Sequence, residues 1–195
     1  VLLGPHNLSN LLATAAVLHW QGYGAEEIAD ALSSLKAVPG RMEVINIDEH
    51  ASAVIDFAHS ADALLNALTT LRQHKPEKLI CVFGCGGDRD VSKRPIMAAI
   101  AERWADRVIV TDDNPRTEAS TQILAHICSG FKRMDRVIVE ADRGEAIALA
   151  MAQAAVDDLV LIAGKGHETY QHILGHKHHF SDHEQVHKAA KRGPS

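Results

Sequence analysis

Short runs rich in Val, Ile and Leu alternate with segments of helical periodicity, and this alternation constrains the fold more than any other feature. Strands are predicted at Met42–Ile47, Ala53–Phe57, Lys78–Phe83, Arg107–Thr111, Arg136–Val139 and Asp158–Ala163, and helices at Ala61–His74, Pro95–Trp104, Ser120–Phe131, Gly144–Ala154 and Asp182–Ala190. Near-continuous apolar strands separated by helices are typical of a parallel sheet that is covered on both faces. The predicted fold is therefore α/β, a Rossmann-like three-layer domain with a mostly parallel sheet.

The first forty residues follow a different pattern. Apolar residues recur at helical spacing over Asn7–Trp20 and again over Glu26–Leu35, with Gly22 and Gly24 between the two segments. The Pro39-Gly40 pair then interrupts the chain, and beyond it the period changes to that of strands. We therefore predict a helical hairpin in residues 1–38, a boundary near Val38 and the α/β domain in residues 39–195.

Composition excludes several classes of protein. The 195 residues are 46% hydrophobic and 23% charged, which is typical of a globular chain, and the net charge of -5 disfavours nucleic-acid binding. The longest apolar runs fall far short of the ~20 residues that span a bilayer, so we expect no membrane segment. Three cysteines without CxxC spacing indicate neither a disulfide framework nor a zinc site and favour a reducing cytoplasm. A start at Val1 without a leader suggests a piece of a longer protein.

Polar clusters directly follow four of the predicted strands. They are Asp56–His59, Gly84–Asp90, Asp112–Arg116 and Gly164–Glu168. Because the carboxyl ends of parallel strands share one edge of a sheet, where ligands bind, we expect the four loops to form one site.

The residue types in these loops indicate an anionic group on the ligand, and a cationic one as well. Glycines at 84–87 and 164–166 can bring backbone N–H groups close to an anion, and five cations supply further donors, namely Arg89, Lys93, Arg94, Arg116 and Lys165. The loop at Lys165 is not a Walker A sequence, because Gly166 follows the lysine, and no GxGxxG is present. The carboxylates of Asp88, Asp113 and Glu168 beside these cations suit a zwitterion such as an amino acid.

Five segments in order resemble the Mur ligases. They are Gly40-Arg41-Met42-Glu43, Asp56-Phe57-Ala58-His59, Gly-Cys-Gly-Gly-Asp-Arg-Asp from Gly84, Thr-Asp-Asp-Asn-Pro-Arg from Thr111, and Gly-Lys-Gly-His-Glu from Gly164. The resemblance covers essentially the whole chain, and Asp-Asn-Pro-Arg is specific to the members that add diaminopimelate. By this resemblance, residues 1–38 correspond to the last helices of the family's central ATPase domain and residues 39–195 to its Rossmann-like C-terminal domain.

The resemblance also implies a reaction. ATP would phosphorylate the D-glutamate carboxylate of UDP-N-acetylmuramoyl-L-alanyl-D-glutamate, and the amine of meso-2,6-diaminopimelate would attack the acyl phosphate during peptidoglycan synthesis. The family's P-loop, Mg²⁺ ligands and carbamylated lysine have no counterparts here, so ATP and Mg²⁺ would need the central domain. We therefore expect this chain alone to be inactive, and we assign it no catalytic residue and no metal ligand.

Site residues follow from the same resemblance. The diaminopimelate site would comprise Arg89, Asp113, Asn114, Arg116, Gly164 and Glu168, and the nucleotide would approach Asn10, Arg41, Asp56 and His59. Arg116 can bind the distal carboxylate bidentately, while Asp113 and Glu168 can accept hydrogen bonds from the distal ammonium.

Other interpretations stay open. The chain could be a stand-alone module that binds an amino acid or nucleotide without chemistry, whereas a lysine-adding ligase is disfavoured by Arg116. The six histidines of His172–His187 indicate a surface hairpin and a solvated helix face, with Ser181 or Asp182 as N-cap, rather than a zinc site. We interpret Cys85 as a small loop residue rather than a nucleophile, and we expect Trp20 and Trp104 in the core.

Overall fold

The computed structural model describes residues 4–35, 37–47 and 51–192, and Val1 lies outside these ranges. A six-stranded sheet has the order β1-β2-β6-β3-β4-β5, in which β1 pairs antiparallel with β2 and the other pairs are parallel. Its strands are β1 (Glu43–Ile45), β2 (Ser52–Asp56), β3 (Leu79–Phe83), β4 (Arg107–Val110), β5 (Val137–Val139) and β6 (Leu159–Ala163). The helices are α1 (Pro5–Trp20), α2 (Ala25–Ser33), α3 (Ala61–Gln73), α4 (Lys93–Trp104), α5 (Ser120–Cys128), α6 (Arg143–Gln153) and α7 (Asp182–Arg192).

Helices cover both faces of the sheet, because alternate residues of each buried strand point to opposite sides. On β3, Leu79, Cys81 and Phe83 pack with α3, α4 and α5, while Ile80 and Val82 pack with α6 and α7. All five residues of β3 are buried. The predicted three-layer α/β fold with a mostly parallel sheet is confirmed, and the predicted elements differ from the observed ones chiefly at their ends.

The helical hairpin of α1 and α2 is present, but its apolar residues are largely exposed. Ile28 is the buried hydrophobic residue among those described in this hairpin, whereas Trp20 is 86% exposed. The prediction that Trp20 lies in the core is therefore wrong, because helical periodicity shows which face is apolar and not whether another element covers it. Trp104 packs against the core beside α3, α4 and α5.

The histidine-rich stretch forms the predicted hairpin, with strands β7 (Tyr170–Ile173) and β8 (His176–His179), followed by α7. The backbone N–H of Gln185 donates to the carbonyl of Ser181 at 3.1 Å, which places Ser181 at the N-cap position. Asp182 is instead the first helical residue, and its carboxylate binds the Arg143 side chain. None of the described helices is long and apolar enough to cross a bilayer.

Candidate functional site

The four predicted loops meet at the carboxyl edge of the sheet, where β2, β6, β3 and β4 lie side by side. The backbone N–H of Gly164, after β6, donates to the carbonyl of Asp56, at the end of β2, at 3.0 Å. The N–H of Gly87, after β3, donates to the carbonyl of Asn114, after β4, at 2.9 Å. These bonds join the loop after β2 to the loop after β6, and the loop after β3 to the loop after β4.

A cluster of charged and amide groups occupies the centre of this edge. Lys165 is completely buried, and its Nζ donates to Asn114 Oδ1 at 3.1 Å and to Glu168 Oε2 at 3.0 Å. Asn114 Nδ2 donates to the same Glu168 oxygen at 2.9 Å. The Lys165 Nζ also lies 3.6 Å from Asp113 Oδ1. The Asp113 and Glu168 carboxylates therefore both lie beside the Lys165 ammonium, whose single positive charge can balance only one of them.

The cluster keeps its glutamate ionised. Burial raises the pKa of Glu168, but hydrogen bonds from Asn114 and Lys165 and the charge of Lys165 outweigh it, so that the net pKa lies below its usual value. The charge of Arg116 contributes in the same direction. Asp113 Oδ1 is buried and has no hydrogen-bond donor among the described residues. A buried acceptor without a hydrogen-bond donor is costly, and the Lys165 ammonium at 3.6 Å offsets part of that cost.

Arg116 is held at the edge of the same cluster. Its backbone has a φ of 54°, and it is fixed by two hydrogen bonds to the β7–β8 hairpin, to the His172 carbonyl at 2.8 Å and from the Leu174 N–H at 2.6 Å. Its Nη1 donates to the Gly87 carbonyl at 2.8 Å. A side chain at Gly86 would meet both the Arg116 guanidinium and the Cγ of Arg89, which is itself exposed. The Arg116 guanidinium and the aliphatic stem of Arg89 therefore both lie beside Gly86.

Two of the loop glycines, Gly87 and Gly164, serve a different purpose from the one predicted. The N–H groups of Gly87 and Gly164 already donate to protein carbonyls. A Cβ at Gly87 would collide with the carbonyl oxygen of Pro115, and Gly164 has a φ of +122° with the Asp113 carboxylate beside it. These two glycines permit close contact between loops rather than presenting free amides to an anion.

Two of the five predicted cationic donors are also committed elsewhere. The Arg94 guanidinium is completely buried against the Glu118 carboxylate, with bonds of 2.6 and 2.7 Å. Lys93 Nζ donates to the carbonyl of His59 at 2.7 Å. The loops therefore offer Arg89 and Arg116 to a ligand, while Lys165 balances the protein's own carboxylates.

A cleft of about 430 Å³ lies between α1 and the α/β domain. Its wall contains Asn7, Asn10, Val38, Arg41, Met42, Asp56, Ala63, Asn66 and Ala67. Three of the four predicted nucleotide residues thus line it, whereas His59 is exposed beside the Phe57 ring and lies outside the wall. The Asp56 carboxylate accepts from the N–H groups of Met42 at 2.8 Å and Ala58 at 2.9 Å, so it also shapes the backbone around the cleft. The Arg41 guanidinium lies over the Phe57 ring, with its Cζ 4.5 Å from the ring centre.

Another buried ion pair, formed by Arg143 and Asp182, contacts the end of β6, next to the loop that begins at Gly164. Arg143 and Asp182 are both fully buried, with an Nε to Oδ1 distance of 2.8 Å, and Arg143 Nη2 donates to the Ala163 carbonyl at the end of β6. The sequence predicted neither this pair nor the pair of Arg94 with Glu118, because their partners lie 39 and 24 residues apart. For Arg94, the available signal was its place in the first turn of α4, directly after the loop that begins at Gly84.

The chain is similar in sequence to known proteins over nearly its whole length. Residues 40–166 match the family described as "Mur ligase, glutamate ligase domain". The chain is 54% identical over 188 residues to the UDP-N-acetylmuramoyl-L-alanyl-D-glutamate–2,6-diaminopimelate ligase of Pseudomonas aeruginosa and 50% identical to that of Coxiella burnetii, and each match covers 96% of this chain. These matches cover 39% and 38% of the relatives, so the chain spans about two fifths of their length.

Solved structures give the same result. The solved structure of another UDP-N-acetylmuramoyl-L-alanyl-D-glutamate–2,6-diaminopimelate ligase matches with a TM-score of 0.77 and 44% identity. The match covers 98% of this chain and 39% of that chain. The UDP-N-acetylmuramate-alanine ligase of Thermotoga maritima, at 20% identity, shares the fold with a TM-score of 0.70, over 98% of this chain and 38% of its own. Because the family match spans well over half of the sequence, the chain belongs to the Mur ligase family.

Proposed function

We propose that this chain forms the amino-acid-binding part of an ATP-dependent ligase that joins meso-2,6-diaminopimelate to UDP-N-acetylmuramoyl-L-alanyl-D-glutamate. One observation carries the proposal: the Asp113 and Glu168 carboxylates and the Arg116 guanidinium lie on one edge of the sheet, close enough for Arg116 to lower the pKa of Glu168. Groups of both signs match the ammonium and the carboxylate at one end of an amino acid. The relatives whose names include 2,6-diaminopimelate support this choice of substrate.

In this proposal the chain holds the distal end of diaminopimelate and presents its other amine. Arg116 and Arg89 bind the distal carboxylate, and Asp113 and Glu168 accept from the distal ammonium. Asn114 orients Glu168, and Gly164, which has no Cβ, leaves the space beside the Asp113 carboxylate clear. Holding an amine in a fixed orientation beside an acyl phosphate is worth several kcal/mol, on the order of 7 to 11 in the best-oriented cases.

The cleft beside Arg41 is the proposed contact with ATP. Asn10 and Arg41 offer an amide and a cation in its wall, while Asp56 fixes the backbone around it. We infer that His59 does not touch the nucleotide unless the hairpin moves, because it lies outside the wall. In keeping with this, we assign residues 1–38 to an ATPase domain and residues 39–195 to the amino-acid-binding domain.

ATP turnover in this proposal also requires Mg²⁺, which we expect the central ATPase domain of the whole protein to hold. Within 4–35, 37–47 and 51–192, no group of three or more His, Cys, Asp or Glu side chains could hold a metal ion.

Activity is tested with a chimera. This chain replaces the matching 39% of the Pseudomonas aeruginosa relative, and phosphate release is followed with ATP, Mg²⁺, the UDP-dipeptide and meso-diaminopimelate. We expect the chimera to form the amide and the isolated chain to release no phosphate. An inactive but folded chimera, or turnover by the isolated chain, would contradict the proposal.

Binding is tested on the chain itself. Titration of the ¹⁵N-labelled chain with meso-diaminopimelate should shift the amide signals of Asp113, Asn114 and Arg116, and lysine should bind more weakly because it lacks the distal carboxylate. Binding without any activity in the chimera would favour the stand-alone binding module.

A further inference from the structure

The buried side chain of Arg94 connects two of the loops that form the proposed amino-acid site. Arg94 lies in the first turn of α4, directly after the loop that carries Arg89. Its Nη1 and Nη2 donate to Glu118 Oε1 and Oε2 at 2.6 and 2.7 Å, and Nη2 also donates to the Gly86 carbonyl at 3.2 Å. Nη1 further lies 3.0 Å from His126 Nδ1 on α5. One guanidinium thus contacts both loops and the helix that follows the second.

Glu118 completes the connection from the other side. It follows Arg116 by two residues, and its backbone N–H donates to the Pro115 carbonyl at 3.1 Å. Its Oε2 also accepts from the backbone N–H of Asp88 at 3.2 Å. The hydrogen bonds from Arg94 hold the pKa of Glu118 below its usual value, so the pair is ionised at neutral pH.

The remaining links between the two loops involve neutral groups or exposed side chains. Thr117 donates from its N–H to the exposed Asp88 carboxylate at 3.1 Å, and Arg116 Nη1 donates to the Gly87 carbonyl at 2.8 Å. Among the contacts described between these loops, the Arg94–Glu118 pair differs in being an ion pair with two parallel N–H to carboxylate bonds. A bidentate guanidinium–carboxylate pair fixes both distance and orientation.

We propose that Arg94 and Glu118 are positioning residues that set the placement of Arg116 relative to Arg89, and thereby the selectivity for an amino acid with a distal carboxylate. The inference rests on the proposed function, since it concerns the same site. Neither residue touches the ligand in this scheme. Breaking the pair would leave a buried charge without its partner and let the loops shift, and a displacement on the order of 1 Å in a positioned group can cost about 100-fold.

The test uses the ¹⁵N-labelled chain with two variants, Glu118→Gln and Arg94→Lys. Glu118→Gln keeps the size of the side chain and removes its charge, while Arg94→Lys keeps the charge and removes the bidentate geometry. Each should weaken meso-diaminopimelate binding by about tenfold or more and leave lysine binding unchanged, so that the ratio of the two affinities falls. Glu118→Asp, which keeps the charge on a shorter arm, should restore part of that ratio.

Arg72→Met is the control for losing an arginine–carboxylate pair away from the site. Arg72 forms a more exposed pair with Asp106, through one bond of 2.7 Å at the opposite edge of the sheet, so its loss should not change the ratio. Unchanged selectivity in folded Glu118→Gln, equal loss of both amino acids, or unfolding of that variant would overturn the proposal, the last because the pair would then serve the whole domain. Absence of meso-diaminopimelate binding by the unsubstituted chain would instead contradict the proposed function, and this inference with it.

Discussion

Lys165 shows how a single side chain determines the chemistry of the site. A fully buried ammonium is costly unless it is paired and hydrogen-bonded, and Lys165 meets both conditions through Asn114 and Glu168. Its position next to a glycine suggests an anion-binding loop, yet it serves the protein's own carboxylates. Because Lys165 lies beside both carboxylates and its single charge can balance only one of them, the cluster can still attract an ammonium.

Arg116 provides a prediction at the residue scale. In the chimeric ligase, Arg116→Ala should reduce kcat/KM for meso-diaminopimelate by about 30-fold to several thousandfold, because loss of a charge-assisted contact with a desolvated carboxylate costs about 2 to 5 kcal/mol. The KM for ATP and the use of lysine should change little. Steady-state kinetics with both amino acids measure this, and Arg107→Ala, an exposed arginine at the start of β4, serves as the control. Joint loss of ATP and diaminopimelate affinity would show that Arg116 is structural.

The cysteines provide a second prediction at this scale. All three are free, and burial raises the pKa of Cys81 and of Cys85 to about 12. Since the thiolate is the reactive form, a thiol reagent at about pH 8 should modify the half-buried Cys128 first and leave the other two unreacted until denaturant is added. Mass mapping of the labelled peptides measures the order. Rapid labelling of Cys85 in the folded chain would contradict its interpretation as an inert loop residue.

At the scale of elements, the β7–β8 hairpin supports the loop after β4 along its length. Gln171 Nε2 donates to the Asp113 carbonyl at 3.1 Å, and the His172 N–H donates to Asn114 Oδ1 at 2.9 Å. Together with the two bonds to the Arg116 backbone, these contacts fix three residues of the candidate site, namely Asp113, Asn114 and Arg116. The histidine-rich hairpin thus contributes its backbone and Gln171, while the strand β8 with most of its histidines is exposed.

The helical hairpin provides a prediction for an element. The α1–α2 pair has few buried apolar residues, whereas β3 and β6 lie in the centre of the sheet. Amide hydrogen exchange should therefore be faster in residues 7–33 than in residues 79–83 and 159–163, because regions with little burial open more readily. Exchange mass spectrometry of the chain measures this. Equal protection in the two regions would contradict separate domain origins for residues 1–38 and 39–195.

For the whole molecule, buried ion pairs join the elements around the carboxyl edge. Arg143 joins α6 to α7 through Asp182 and to β6 through the Ala163 carbonyl. Arg94 joins α4 to the turn before α5 through Glu118. Buried pairs are weak contributors to stability when intact, but removal of one partner typically costs about 3 to 5 kcal/mol. They tie the site to the packing of the whole domain.

The pH dependence of stability is a prediction for the whole molecule. Glu43, Glu118 and Glu168 have pKa values below the ordinary value of about 4.5, so each stabilises the fold above that pH and loses its contribution as the pH falls through the lowered pKa. Asp112, whose pKa burial raises, acts in the opposite direction.

Urea unfolding monitored between about pH 6 and about pH 3 should therefore show a falling midpoint below about pH 4.5. Glu118→Gln, which removes one of the three groups, should show a smaller fall. A midpoint that stayed constant or rose over this range would show that the lowered pKa values do not control acid stability.

The sequence by itself determined the fold class, the edge that carries the site and the residues assembled there. Strand alternation is a local property, and the carboxyl ends of parallel strands necessarily share an edge, so Asp56, Gly84, Asp113 and Gly164 could be placed together without coordinates. Tertiary structure decided what cannot be read from neighbours in the chain: that Trp20 is exposed, that Lys165 is enclosed by two carboxylates, and that Arg94 and Arg143 have partners 24 and 39 residues away. Burial and pairing depend on which elements pack together, and the local pattern of a helix or loop does not contain that information.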